Sequence, residues 1–179
     1  MMKGLLSSLF RFSQKELVKG RSTQPSFKRW QLIRSFIGGL IAISCLGILS
    51  NLSTYPLLIA PFGASTVLLF GAPNSPLAQP RNLIFGNLVG AISAVICVFI
   101  LGSSSFTSGI AVGLTIFIGQ AFRCLHPPAG AVALLGVLLK ASPIFIFIPV
   151  LSGSLILLAI ALGFNRFLKR ENSYPKHWL

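Results

Sequence analysis

Between Glu16 and Glu171 the sequence contains no acidic side chain, and those two glutamates are the only acids in 179 residues. Cation pumps, proton relays and metal-ion carriers draw on carboxylates within their membrane spans, so a cation pathway is disfavoured. The three cysteines, Cys45, Cys97 and Cys124, have neither metal-ligand spacing nor the even count of a disulfide framework. Cys45 and Cys97 sit in apolar runs and read as small buried hydrophobes. No Ser/His/Asp, Cys/His or metal constellation is present, so no catalytic residue, metal or cofactor is expected and the chain does not read as an enzyme. A nucleotide-binding loop is also missing. Charged residues of either sign make up only 9%, against about 25% in soluble domains.

What fills the sequence instead is apolar: 54% hydrophobic residues, with 15 lysines and arginines for a net charge of +13. This is the composition of an integral membrane protein. The cations are concentrated at the ends. Eight lie between Lys3 and Arg34 and four between Arg166 and Lys176, leaving only Arg81, Arg123 and Lys140 between. They flank apolar segments and are not interleaved with aromatics, which favours membrane orientation and contact with lipid headgroups over nucleic-acid binding. Residues 1–31 form a basic N-terminal segment, read as retained and cytoplasmic because it has no signal-peptide apolar region or cleavage site, with a transit peptide as the alternative that its basic, Ser-containing and nearly acid-free composition also suits. Leu5, Leu6, Leu9, Phe10 and Phe12 would give it one short interfacial helix.

Six apolar segments follow, at about 32–50, 55–71, 82–101, 106–122, 127–139 and 143–164, with a basic cytoplasmic tail over 166–179. The second contains Pro61-Phe62-Gly63-Ala64-Ser65-Thr66 and the fifth opens on His126-Pro127-Pro128-Ala129-Gly130. Aligned without gaps, the two stretches match at Ala64/Ala129, Val67/Val132, Leu69/Leu134 and Gly71/Gly136. Proline is tolerated in a helix's first turn, so each stretch reads as an interrupted backbone followed by a short helix, with the first interruption at Pro61-Phe62-Gly63. The sequence predicts an all-α membrane protein of two repeats, 32–102 and 105–165, each with a short broken middle segment. If all six segments cross, both tails and the turns carrying Arg81 and Arg123 share one side, and only Lys140 violates the positive-inside rule. The repeats are then inverted. Gly86/Gly90 and Gly109/Gly113 form two G-x-x-x-G pairs suited to close helix packing, which would also allow a homodimer or trimer.

Inversion would bring two helix N-termini toward the bilayer middle from opposite sides, each carrying unpaired N–H groups and partial positive charge. Such ends bind small anions. Main-chain N–H groups after Gly63 and after Pro128, with the Ser65 and Thr66 hydroxyls, would then hold the ion. Phe62 would gate the path or pack. Arg81 and Arg123 would attract anions to the inner mouth, and Asn82 and Asn87 would offer amide donors. Structural readings stand beside these. His126 would couple transport to pH, or cap a helix or bond a carbonyl. The arginines would anchor headgroups, and the asparagines would tie helices together. Opposed helix N-termini also suit a channel for small neutral solutes, and a non-transporting scaffold or sensor is a further reading.

The His126-Pro127-Pro128-Ala129-Gly130-Ala131 run resembles the signature of the HPP family of integral membrane proteins. The Pro61–Ser65 run, Gly71-Ala72-Pro73, the turn from Ser75 to Asn82, and Gly86-Asn87 are similar to that family's pattern as well. The resemblance covers about residues 30–164. It implies transport of nitrite, as in plastids and their cyanobacterial relatives, and so a small inorganic anion as partner in an inner or plastid-type membrane.

Overall fold

The computed structural model describes residues 26–53, 55–167 and 174–178. The interfacial helix expected within residues 1–31 lies outside them. The described residues form six helices and no strand. They are α1 (Arg29–Leu52), α2 (Ala60–Gly71), α3 (Asn82–Leu101), α4 (Ser105–Ala121), α5 (Pro127–Leu138) and α6 (Ile146–Phe167). At 24, 20 and 22 residues, α1, α3 and α6 are long and apolar enough to cross a membrane. The other three are apolar and shorter. The described residues fall into two units, one ending at Ile33 and one beginning at Arg34. The described part of the first includes the opening turn of α1, where the Lys28 N–H donates to Gln31 Oε1 (2.8 Å).

Local chemistry sets the boundaries. Ile59 is extended (φ −118°, ψ 147°), and α2 then starts with proline in its first turn. Helix α5 begins in the same way, with His126 at the N-cap and prolines at the first two helical positions. Ser104 caps α4 by accepting the Thr107 N–H (3.1 Å). Helices α4 and α5 end alike. Arg123 (φ 53°) and Lys140 (φ 50°) take left-handed conformations. The next residue's N–H then reaches back to the last turn, from Cys124 to the Gly119 carbonyl and from Ala141 to the Gly136 carbonyl, both at 2.8 Å. This is the Schellman arrangement, with a cation where glycine usually sits. The charge lies at the negative end of each helix dipole.

Helices in lipid gain little from burying apolar surface against one another, so close backbone approach and hydrogen bonds hold them together. The closest approach is between α3 and α5. A Cβ at Gly90 would strike the Ala129 carbonyl, one at Gly86 would meet His126 Cβ at 2.5 Å, and one at Gly136 would meet Ala94 Cβ at 2.6 Å. Helix α4 closes this pair through Ala94, Cys97, Ala111, Ala133 and Val137. Phe62 is fully buried against Gly153 of α6, where a Cβ would overlap its ring. Phe70 lies against Gly38 of α1 and meets Phe164 edge-on at 5.5 Å. Outward positions are apolar, as at Phe36, Phe99 and Phe117, which suits a lipid-facing surface.

Three expectations need correction. The backbone interruption precedes Ala60 rather than falling at Pro61-Phe62-Gly63, because proline opens the helix and Gly63 continues it. The last apolar segment is not one regular helix, since Ile148 has extended angles (φ −132°, ψ 117°) ahead of Pro149. Of the two G-x-x-x-G pairs, Gly86/Gly90 packs against α5, whereas a Cβ at Gly109 or Gly113 would meet nothing within 4 Å.

Two outcomes follow. Gly90→Leu drives a side chain into the Ala129 carbonyl and should cost about 1–3 kcal/mol, while Gly113→Leu should change stability by less than about 0.5 kcal/mol. Monodisperse recovery after heating in detergent separates them. Lys140→Gly relieves the left-handed position and should gain about 0.5–1 kcal/mol, and Lys140→Val should lose at least that much; the same heating assay reads both signs.

Candidate functional site

The two proline-opened stretches meet in the interior. Ser65 and His126, both essentially inaccessible to solvent, are joined by a 2.9 Å hydrogen bond between Ser65 Oγ and His126 Nε2. On the other side of the ring, His126 Nδ1 lies 2.9 Å from the Leu77 carbonyl. A carbonyl only accepts, so Nδ1–H is the donor, and in the neutral ring Nε2 accepts the Ser65 hydroxyl. His126 is thus held by both nitrogens between α2 and the turn that leads to α3. Gly86 makes this possible, because its missing side chain leaves room for His126 Cβ.

The turn is itself built around a buried glutamine. Ser75 caps the 3₁₀ turn Pro76–Ala78 by accepting the Leu77 N–H (3.2 Å). Gln79 Nε2 donates to the carbonyls of Pro73 (3.1 Å) and Ser75 (2.8 Å). Its Oε1 accepts the Lys176 N–H (2.8 Å), and the Tyr174 hydroxyl donates to the Ala78 carbonyl (3.0 Å). Burial pushes the Tyr174 phenol well above its usual ionisation range. The segment 174–178 therefore secures the turn that supplies the Leu77 carbonyl to His126.

The other predicted residues divide by location. Asn82 donates to the Leu125 carbonyl (2.7 Å), tying the start of α3 to the residue before His126. Asn87 donates to Ser154 Oγ of α6 (3.1 Å), and its own buried oxygen has no partner. Thr66 is buried with an unpartnered hydroxyl and lies toward Gly39 of α1. Pro61 and Phe62 are buried, whereas Gly63 faces open space and Ala64 is exposed. At the second stretch, Pro128 and Ala129 are buried, Ala129 lies against Gly90, Gly130 is half-buried and Pro127 is exposed. Arg81 donates from one terminal guanidinium nitrogen to the Phe122 carbonyl (3.0 Å), and Arg123 is exposed at the end of α4.

The start of α5 differs from a simple anion cradle. Proline removes the donors at 127 and 128, and the Ala129 N–H donates to the His126 carbonyl (2.8 Å). The positive end of this helix acts through its dipole more than through a row of free N–H groups. The donors that could face a ligand are side chains: the Thr66 hydroxyl, and that of Ser65 once its bond to His126 Nε2 opens. Sequence reasoning missed Leu77, whose carbonyl leaves no side-chain signal, and Gln79, Ser154 and Tyr174. The polar Gln79 and Ser154 were the available clues. No group of three or more His, Cys, Asp or Glu side chains that could hold a metal occurs among the described residues.

A family model described as HPP, transmembrane region, matches residues 24–175. A transmembrane protein of Dictyostelium discoideum is 36% identical over 184 residues, covering 95% of this chain and 64% of the relative. A second from the same organism is 40% identical over 159 residues, covering 83% of this chain and 50% of the relative. The chain thus spans between half and two thirds of the length of these curated relatives. No solved structure matches. The family match takes in both proline-opened helices, the Ser65–His126 contact between them and the Tyr174 anchor, and the chain belongs to the HPP family of integral membrane proteins.

Proposed function

We propose that this protein is a transporter or channel for a small monovalent anion, with nitrite the foremost substrate. The observation that carries this reading is the buried 2.9 Å bond between Ser65 and His126, which joins the two matching stretches inside an apolar bundle. Nitrite accepts hydrogen bonds and donates none, so a site for it needs donors in place of its hydration shell. The Ser65 and Thr66 hydroxyls are such donors. The dipole at the start of α5 adds positive potential without a full cation in hydrocarbon.

In this reading the Ser65–His126 bond closes the path between α2 and α5. An entering anion takes over the Ser65 hydroxyl proton as its own hydrogen bond, and the Ser65–His126 bond re-forms when the ion leaves. Arg123 supplies positive potential at the mouth. The repeats are inverted, both termini face the cytoplasm or stroma, and the membrane is an inner or plastid-type one. The absence of acids from Glu16 to Glu171 supports anion flux over cation flux. The protein works without a cofactor and catalyses no covalent step.

Nitrite uptake by proteoliposomes at fixed pH, corrected for nitrous acid leak in protein-free vesicles, tests the proposal. Saturable, protein-dependent uptake is expected. Ser65→Val leaves the imidazole nitrogen unpaired, at about 1–3 kcal/mol, and should cut uptake at least tenfold in protein that still elutes as a monodisperse species. Thr66→Val should also slow it. Equal uptake of urea and nitrite would replace the anion reading with a neutral-solute channel, and no flux above empty vesicles would remove both.

A further inference from the structure

A cavity of about 570 Å³ opens between α3 and α4, apart from the Ser65–His126 contact. Its walls are Phe85, Val89 and Ile92 of α3 with Ile118 and Phe122 at the end of α4, and Arg81 is its one charged lining residue. Arg81 directly precedes α3, and Ile92 lies 11 residues further on, or about 16 Å along a helix. A cation at the head of an apolar channel of that length matches a lipid, with an anionic headgroup above an acyl chain.

Charge gives the second argument. No carboxylate occurs among the described residues, since the only acids are Glu16 and Glu171. The Arg81 guanidinium is half-buried, and one of its five N–H groups is spent on the Phe122 carbonyl. Arg123 and Lys140 are exposed to solvent or headgroups and need no such partner. At the rim of this otherwise apolar cavity the guanidinium is the one group placed to take an anion, and phosphate fits its planar fork. Basic pockets between membrane helices recognise anionic headgroups for this reason.

We propose that the α3/α4 groove holds one anionic phospholipid, its phosphate on Arg81 and one acyl chain along Phe85, Val89 and Ile92. The phosphate then sits beside the Phe122 carbonyl, at the start of the connection that carries Cys124, Leu125 and His126 into α5. The lipid thus fixes the connection that positions His126. The site is independent of which solute the protein carries.

Purified full-length protein, exchanged into phosphatidylglycerol or phosphatidylcholine and then stripped with detergent, is weighed by native mass spectrometry. One phosphatidylglycerol retained per chain is expected, with phosphatidylcholine retained at least tenfold less. Arg81→Gln, which removes the charge, should lose this preference, and Arg81→Lys should keep most of it. Val89→Trp fills the groove without altering charge and should also lose the lipid. Equal retention of the two lipids, unchanged retention in Arg81→Gln, or the same protection from heating by inorganic phosphate would overturn the site. A dimer that Val89→Trp returns to monomer would assign the groove to a second copy instead.

Discussion

The backbone of α3 runs almost against the backbone of α5, and the rest of the site depends on that approach. Gly86 and Gly90 face His126 and Ala129, while Gly136 faces Ala94. In lipid no hydrophobic term rewards such contact, so its energy comes from packing and from hydrogen bonds that close approach permits. With α5 held this near to α3, His126 can reach the Leu77 carbonyl in the turn before α3 and Ser65 on α2 at once. A methyl group at position 86 would push the imidazole away from both.

A second consequence is that the polar interior is used up by the protein's own bonds. Asn82 is committed to Leu125, His126 to Ser65 and Leu77, and Gln79 to three main-chain groups. The exceptions are the Thr66 hydroxyl and the Asn87 oxygen, both buried and unpartnered. Unpaired polar atoms are costly inside a bundle. Thr66 follows Ser65 on α2, and Asn87 follows Gly86, which faces His126, on α3.

Much of the helix plan was legible in the sequence. Apolar length delimited α3, and Pro127-Pro128 marked the start of α5, because proline's missing N–H costs nothing there. The matching stretches pointed to Ser65 and His126 as members of paired elements. Their bond itself was not legible, since 61 residues separate them and periodicity does not say which faces meet. The ends of α4 and α5 escaped notice because the usual signal is glycine, whereas Arg123 and Lys140 occupy those positions. The two G-x-x-x-G pairs look alike in sequence, but among the described residues only Gly86 and Gly90 have a close neighbour across from them. Pro149 was in plain view, yet whether a proline kinks or interrupts a membrane helix depends on the groups that surround it.

The tie between the tail and the turn also bears on biogenesis. Gln79 and Lys176 are 97 residues apart, and Ala78 and Tyr174 are 96 apart. When α3 leaves the ribosome, the turn before it lacks these two bonds and has only its local ones. It gains them after α4, α5 and α6 have been made, so the carbonyl that orients His126 is fully secured only once the sixth helix is complete. A nascent chain already inserted in the membrane therefore holds an incompletely fastened centre until residues 174–176 dock.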